Sequence, residues 1–145
     1  MSDPLLASSA SDNLVSRWTP SDGDTVDELG LLVYQSRLIG ADPSLVLRGG
    51  GNTSVKIAEV DHRGERVAVL RVKGSGSDLR AIERRDFPGV RLDDVLPLFA
   101  RSDMSDEEMT DFLAHTLMDP RSPRPSIETL LHAFIPAANV VHTHA

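Results

Sequence analysis

The sequence predicts an α/β sandwich built on a largely antiparallel sheet. Apolar residues recur at helical spacing in separate segments, each entered by a capping residue. Strand-like runs at 53–60 and 66–72 are joined by a hairpin connection. Helices and strands mix without strict βαβ alternation, which favours antiparallel pairing.

Taken in order, residues 1–23 are rich in Ser, Asp and Pro and read as a flexible lead-in, with a single domain over 24–145. Thr25 and Glu28 form a capping box for a first helix, whose stripe is Val26, Leu29, Leu32, Val33 and Ile39. Gly40 and Pro43 end it. Ser44 to Arg48 looks like a strand leading into Gly49-Gly50-Gly51-Asn52, and Thr53 to Val60 follows as a second. Asp61 to Glu65 is the hairpin connection, and Arg66 to Val72 is the returning strand. It runs directly into a second glycine turn, Lys73-Gly74-Ser75-Gly76-Ser77-Asp78. Residues 86–100 hold a short extended piece and a helix capped by Asp93 or Asp94. Ser105 and Glu108 make another capping box, with Met109, Phe112, Leu113 and Leu117 on one face. Ser126 is expected to cap a helix through Ile135, its stripe being Ile127, Leu130, Leu131 and Phe134. Asn139 to Ala145 closes the chain as a strand.

The 145 residues suffice for one sizeable core. A net charge of −7 argues against general binding to nucleic acid or anionic membrane. With no cysteine, a disulfide, a zinc finger or a thiol nucleophile is excluded, and any metal must use His, Asp or Glu. The N-terminal stretch lacks the positive region of a secretory signal, and Leu29 to Tyr34 is too short to span a bilayer, so a cytoplasmic location is expected.

Four segments carry chemistry. His142 and His144 lie two apart on an expected strand, so both imidazoles face one way and can grip one ion, or else they are two histidines on a solvated face. Glu128 stands in the first turn of a helix, where an acid complements the dipole; beside a metal it can also shuttle a proton. His132, four residues on, reads as a surface neighbour of Glu128. The two glycine turns are either ordinary tight turns or nests for an oxyanion.

As an ordered set, Gly50-Gly51-Asn52-Thr53-Ser54, Lys73-Gly74-Ser75-Gly76, Pro125-Ser126-Ile127-Glu128 and Val141-His142-Thr143-His144-Ala145 resemble the class II aldolase/adducin family. The stretch Leu45 to Lys56 is most similar to the rhamnulose-1-phosphate aldolase type, often fused to a short-chain dehydrogenase. The resemblance implies an α/β/α sandwich with a mainly antiparallel central sheet, truncated at its C-terminus. It implies zinc or another divalent metal held by His142 and His144, with Glu128 as catalytic acid/base. Asn52, Ser75, Gly76 and Ser126 match positions that hold a substrate phosphate, and Ile127 stands where the family often has a second serine. The implied reaction is retro-aldol cleavage of a ketose 1-phosphate to dihydroxyacetone phosphate and an aldehyde through a zinc-stabilised enediolate, in a homo-oligomeric parent. A sugar-phosphate 4-epimerase and a non-catalytic adducin-like module are the alternatives. The family's third zinc histidine lies downstream of Ala145, so the chain is expected to be an N-terminal fragment without activity of its own.

Overall fold

The computed structural model describes residues 16–19 and 27–144. The capping box expected at Thr25, with Val26, therefore lies outside the described residues, as does most of the lead-in. Helix α1 runs Glu28–Gly40 and is capped by Asp27, whose carboxylate accepts from Gly30 N at 2.9 Å. Strand β1 (Asn52–Val60) turns through the 61–65 connection into β2 (Arg66–Val72). That turn is closed by Asp61, which accepts from Arg63 N at 2.8 Å and Glu65 N at 3.0 Å. A short strand β3 (Gly89–Arg91) leads into helix α2 (Leu92–Val95). Helix α3 spans Asp106–His115, helix α4 Thr129–Phe134 and strand β4 Asn139–His142.

Among the described residues the strands form one sheet in the order β3-β2-β1-β4, with every neighbouring pair antiparallel. The period of two divides its apolar residues between two faces. Val55 and Ile57 of β1 pack with Leu32, Val33, Leu79, Ile82 and Phe87, under α1. Leu70 and Val72 of β2 point the other way, against Val90, Val95, Leu113 and Ala133 of the segments that carry α2, α3 and α4. A helical layer therefore covers each face, which is the α/β/α arrangement.

Three local expectations are corrected. Ser44 to Arg48 is not a strand. Asp42 gathers Ser44 N and Oγ on its side chain, and its carbonyl accepts from Leu45 N and Val46 N, so the segment coils into turns. Val46 is buried in the core, and Leu45 packs against it partly buried. Asp93 and Asp94 do not cap α2 but occupy its first turn, where they complement the helix dipole. The capping box at Ser105 and Glu108 forms as expected.

Helix α4 is the third correction, at both its start and its face. It starts at Thr129 with Glu128 in the cap position, and Ser126 supplies a backbone carbonyl to Thr129 N rather than a side-chain cap. The face expected to be buried is partly turned out: Ile127 is 64% exposed and Leu131 50%. Thr129, His132 and Ala133 go inward instead. Residues 129, 132 and 133 have the same i, i+3, i+4 spacing as the apolar stripe; Ser54 on the strand beneath gives His132 a partner, the Thr129 hydroxyl bonds back to Ser126 O, and Ala133 joins the core.

Candidate active site

The site is organised by the polar side of β1. Asn52, Ser54 and Lys56 alternate with the apolar face and all reach segment 126–137. Asn52 Nδ2 donates to Ser126 Oγ at 2.6 Å and to Glu128 Oε2 at 2.9 Å, just ahead of the helix. Ser54 Oγ bonds His132 Nδ1 at 2.7 Å at its middle. Lys56 Nζ donates to the carbonyls of Ile135 and Ala137 at its end, where cationic charge is favoured. Three side chains on one strand thus set the axial position of α4, and with it Glu128.

Strand pairing brings the histidines to the same place. Asn52 faces His142 in the β1–β4 register, so their side chains share a face of the sheet. Glu128 Oε1 lies 3.3 Å from His142 Nδ1. Strand β4 ends at His142, three residues earlier than expected, and His144 is held beyond it by a bond from its N–H to Leu45 O at 2.8 Å. The two imidazoles still meet edge to face, with centroids 4.9 Å apart. One donor atom from each of Glu128, His142 and His144 falls within 4.8 Å of the others. His142 Nδ1 is buried and makes no hydrogen bond among the described residues. An orphaned ring nitrogen beside a second imidazole and a carboxylate is a donor set that fits zinc or a similar divalent ion.

The glycine turns close around this cluster. Gly51 adopts φ +74°, and a Cβ there would meet Val46 Cγ1 at 2.5 Å and His142 O at 3.1 Å. Only glycine lets the loop pass so near the end of β4. Lys73 ties the two turns together, since its buried ammonium donates to Gly49 O at 3.0 Å and Gly51 O at 3.1 Å. Burial lowers its pKa, while the Glu128 and Asp78 carboxylates oppose the shift. The second turn is joined in turn to 124–126: Ser75 N donates to Arg124 O at 2.8 Å and Ser126 N to Lys73 O at 3.2 Å. Asn52, Ser75, Gly76 and Ser126, from separate stretches of chain, therefore converge. A cleft of about 230 Å³ opens beside them, lined by Ser75, Arg124 and Ser126 on its polar side.

His132 is not the surface neighbour expected from sequence. It is 0% exposed, and burial lowers its pKa to about 4, leaving the ring neutral. Its Nδ1 is committed to Ser54, and it stands outside the Glu128–His142–His144 cluster, so it is no substitute metal ligand here. The polar positions 52, 54 and 56 on an otherwise apolar strand were the signal for this buried row.

A fold of this kind, with paired histidines and an acid beside two glycine turns, defines a class II aldolase domain. The chain belongs to the family described as the class II aldolase and adducin N-terminal domain, whose model matches residues 31–145. It is 55% identical over 113 residues to a Bacillus subtilis (strain 168) protein named Uncharacterized oxidoreductase YuxG, a match covering 78% of this chain and 16% of that protein. It also resembles the N-terminal class II aldolase domain of a conserved Thermoplasma acidophilum protein, at 49% identity and a TM-score of 0.84. That likeness covers 91% of this chain and 61% of the solved one. The chain thus spans about a sixth of the Bacillus relative's length. Among the described residues no helix is long and apolar enough to cross a membrane.

Proposed function

We propose that this domain serves, in the full-length protein that carries it, a metal-dependent aldolase acting on a ketose 1-phosphate of the rhamnulose 1-phosphate type and releasing dihydroxyacetone phosphate and an aldehyde. The observation that carries this reading is the cluster of Glu128, His142 and His144 against two converging glycine turns. When bound by His142, His144 and Glu128, a divalent ion such as zinc supplies a Lewis acid for the negative charge that develops on oxygen as C3–C4 breaks.

The protein's own groups do the rest. Asn52, Ser126 and the Ser75–Gly76 turn hold the phosphate, which fixes the distance from that anchor to the breaking bond. As C3–C4 breaks, the C4 hydroxyl gives up its proton in becoming the aldehyde, and Glu128, whose Oε1 faces His142, takes up that proton and passes it to C3, with both transfers reversed in the condensation direction. Lys73 keeps the turns in register and offsets the charge of the anion without contacting the reacting carbons. The lysine is engaged with two carbonyls, so no Schiff base is invoked.

The test is to incubate the full-length protein that carries this domain with zinc, count bound metal, and assay rhamnulose 1-phosphate cleavage against epimerisation of a pentulose 5-phosphate. Stoichiometric zinc and aldehyde release, lost in Glu128→Gln, are expected. Epimerisation without aldehyde would move the assignment to the 4-epimerases. Failure to bind zinc would favour an adducin-like interaction module.

A further inference from the structure

The anion turns are short of positive charge for the ligand assigned to them. A phosphate monoester carries about −1.5 to −2 at pH 7. Asn52, Ser75, Gly76 and Ser126 are all neutral. Lys73 supplies one cation, but the Glu128 and Asp78 carboxylates lie close enough to draw on it. Arg48 stands 3.9 Å from Asp78 and offsets that acid from an exposed position. These four charges cancel, so a dianion placed among them needs a further cation in contact.

Arg124 stands where that cation is needed. It lines the same cleft as Ser75 and Ser126. Its backbone belongs to the frame of the turn: Ser75 N donates to Arg124 O at 2.8 Å, Gly74 forms an antiparallel bridge with Pro125, and Ser126 N donates to Lys73 O at 3.2 Å. The side chain, by contrast, is exposed and pairs with no carboxylate among the described residues. Arg121, three residues earlier, is gripped by both oxygens of Asp119 at 3.0 Å. The Arg124 guanidinium thus keeps its whole planar fork for a bidentate oxyanion. Met109, Leu113 and Ile127 add an apolar lining to the cleft, and an ion pair is stronger beside such surface than in open water.

We propose that Arg124 is a substrate-binding residue whose guanidinium folds over the cleft and pairs with the phosphate held by the Ser75–Gly76 turn and Ser126. This rests on the proposed reading of that cleft as the phosphate site and adds to it the group that supplies the missing charge.

The experiment titrates inorganic phosphate by calorimetry, without added metal, into the full-length protein that carries this domain and into Arg124→Met, Arg124→Lys, Arg121→Met and Ser75→Ala. A charge-assisted pair at a partly exposed site contributes about 10-fold in affinity, so Arg124→Met should weaken phosphate by about that factor. The dependence of affinity on salt should flatten in the same variant, because one screened charge has gone. Arg124→Lys keeps the charge without the fork and should fall between. Arg121→Met, with its partner Asp119, should stay within about 2-fold, and zinc affinity by chelator competition should stay within about 2-fold in both Arg124 variants. Phosphate binding that is weakened by Ser75→Ala but not by Arg124→Met overturns the proposal and leaves the phosphate site standing. Equal weakening by Arg124→Met and Arg121→Met also overturns it, since that is the general field of the surface and not a contact. Absence of phosphate binding, or binding indifferent to Ser75→Ala, refutes the phosphate site itself and the Arg124 assignment with it.

Discussion

His132 makes the stability of this domain depend on pH in a way that can be calculated. Its ring is fully buried against Ser54, and burial, the dominant cause, lowers its pKa to about 4 while the Glu128 carboxylate pulls the other way. In the unfolded chain a histidine titrates near pH 6.5. The folded value lies below the unfolded one, so the unfolded chain takes up the proton first. The contribution is therefore complete above pH 6.5 and is lost as pH falls toward 4. Integrating that single proton gives a loss of about 2 kcal/mol between pH 7 and pH 5, and about 3 kcal/mol by pH 4. The assay is urea unfolding at several pH values for the protein and for His132→Phe. The variant gives up the bond to Ser54, a cost of about 1–3 kcal/mol that does not vary with pH. Carboxylates titrate alike in both proteins, so the difference between the two curves isolates His132. It should shrink by about 2 kcal/mol from pH 7 to pH 5. Parallel curves would refute the reasoning, as would a His132 ring resonance titrating near pH 6.5 in the folded protein.

Other perturbations separate the site from its frame. Gly51→Ala must leave the left-handed region and push against Val46 and the His142 carbonyl, so it should lower thermal stability and weaken zinc binding together, read by melting and chelator competition. Lys73→Met removes the donor from two carbonyls of the glycine loop, and should cost about 1–3 kcal/mol in urea unfolding and weaken phosphate binding in calorimetry. Arg84→Ala breaks a bidentate pair with Asp27 at 2.6 Å and 2.7 Å, yet both partners are more than half exposed. Its effect on unfolding should stay below about 1 kcal/mol, with zinc affinity unchanged.

Local rules were enough for much of the chain. The hairpin from Thr53 to Val72, the capping box at Ser105 and the strand at Val140 follow from alternation, turn chemistry and caps, which act over a few residues. The residues that form the candidate site were also legible, because His142 and His144 lie only two apart in sequence and the glycine turns are recognisable as nests. What local rules could not supply was the partner of each group. Ser44 to Arg48 has strand-like composition but no neighbour to pair with, and Asp42 wins it for turns. Helix α4 has two faces of equal period, and only the polar row of Asn52, Ser54 and Lys56 beneath it decides that His132 goes in and Leu131 stays out. The sequence by itself determined which elements form and which residues are chemically able to act. Burial, register and the sharing of Glu128 between Asn52 and His142 came from the tertiary structure, because they depend on contacts between separate elements, those of Asn52 with Ser126 and Glu128 lying 74 and 76 positions apart.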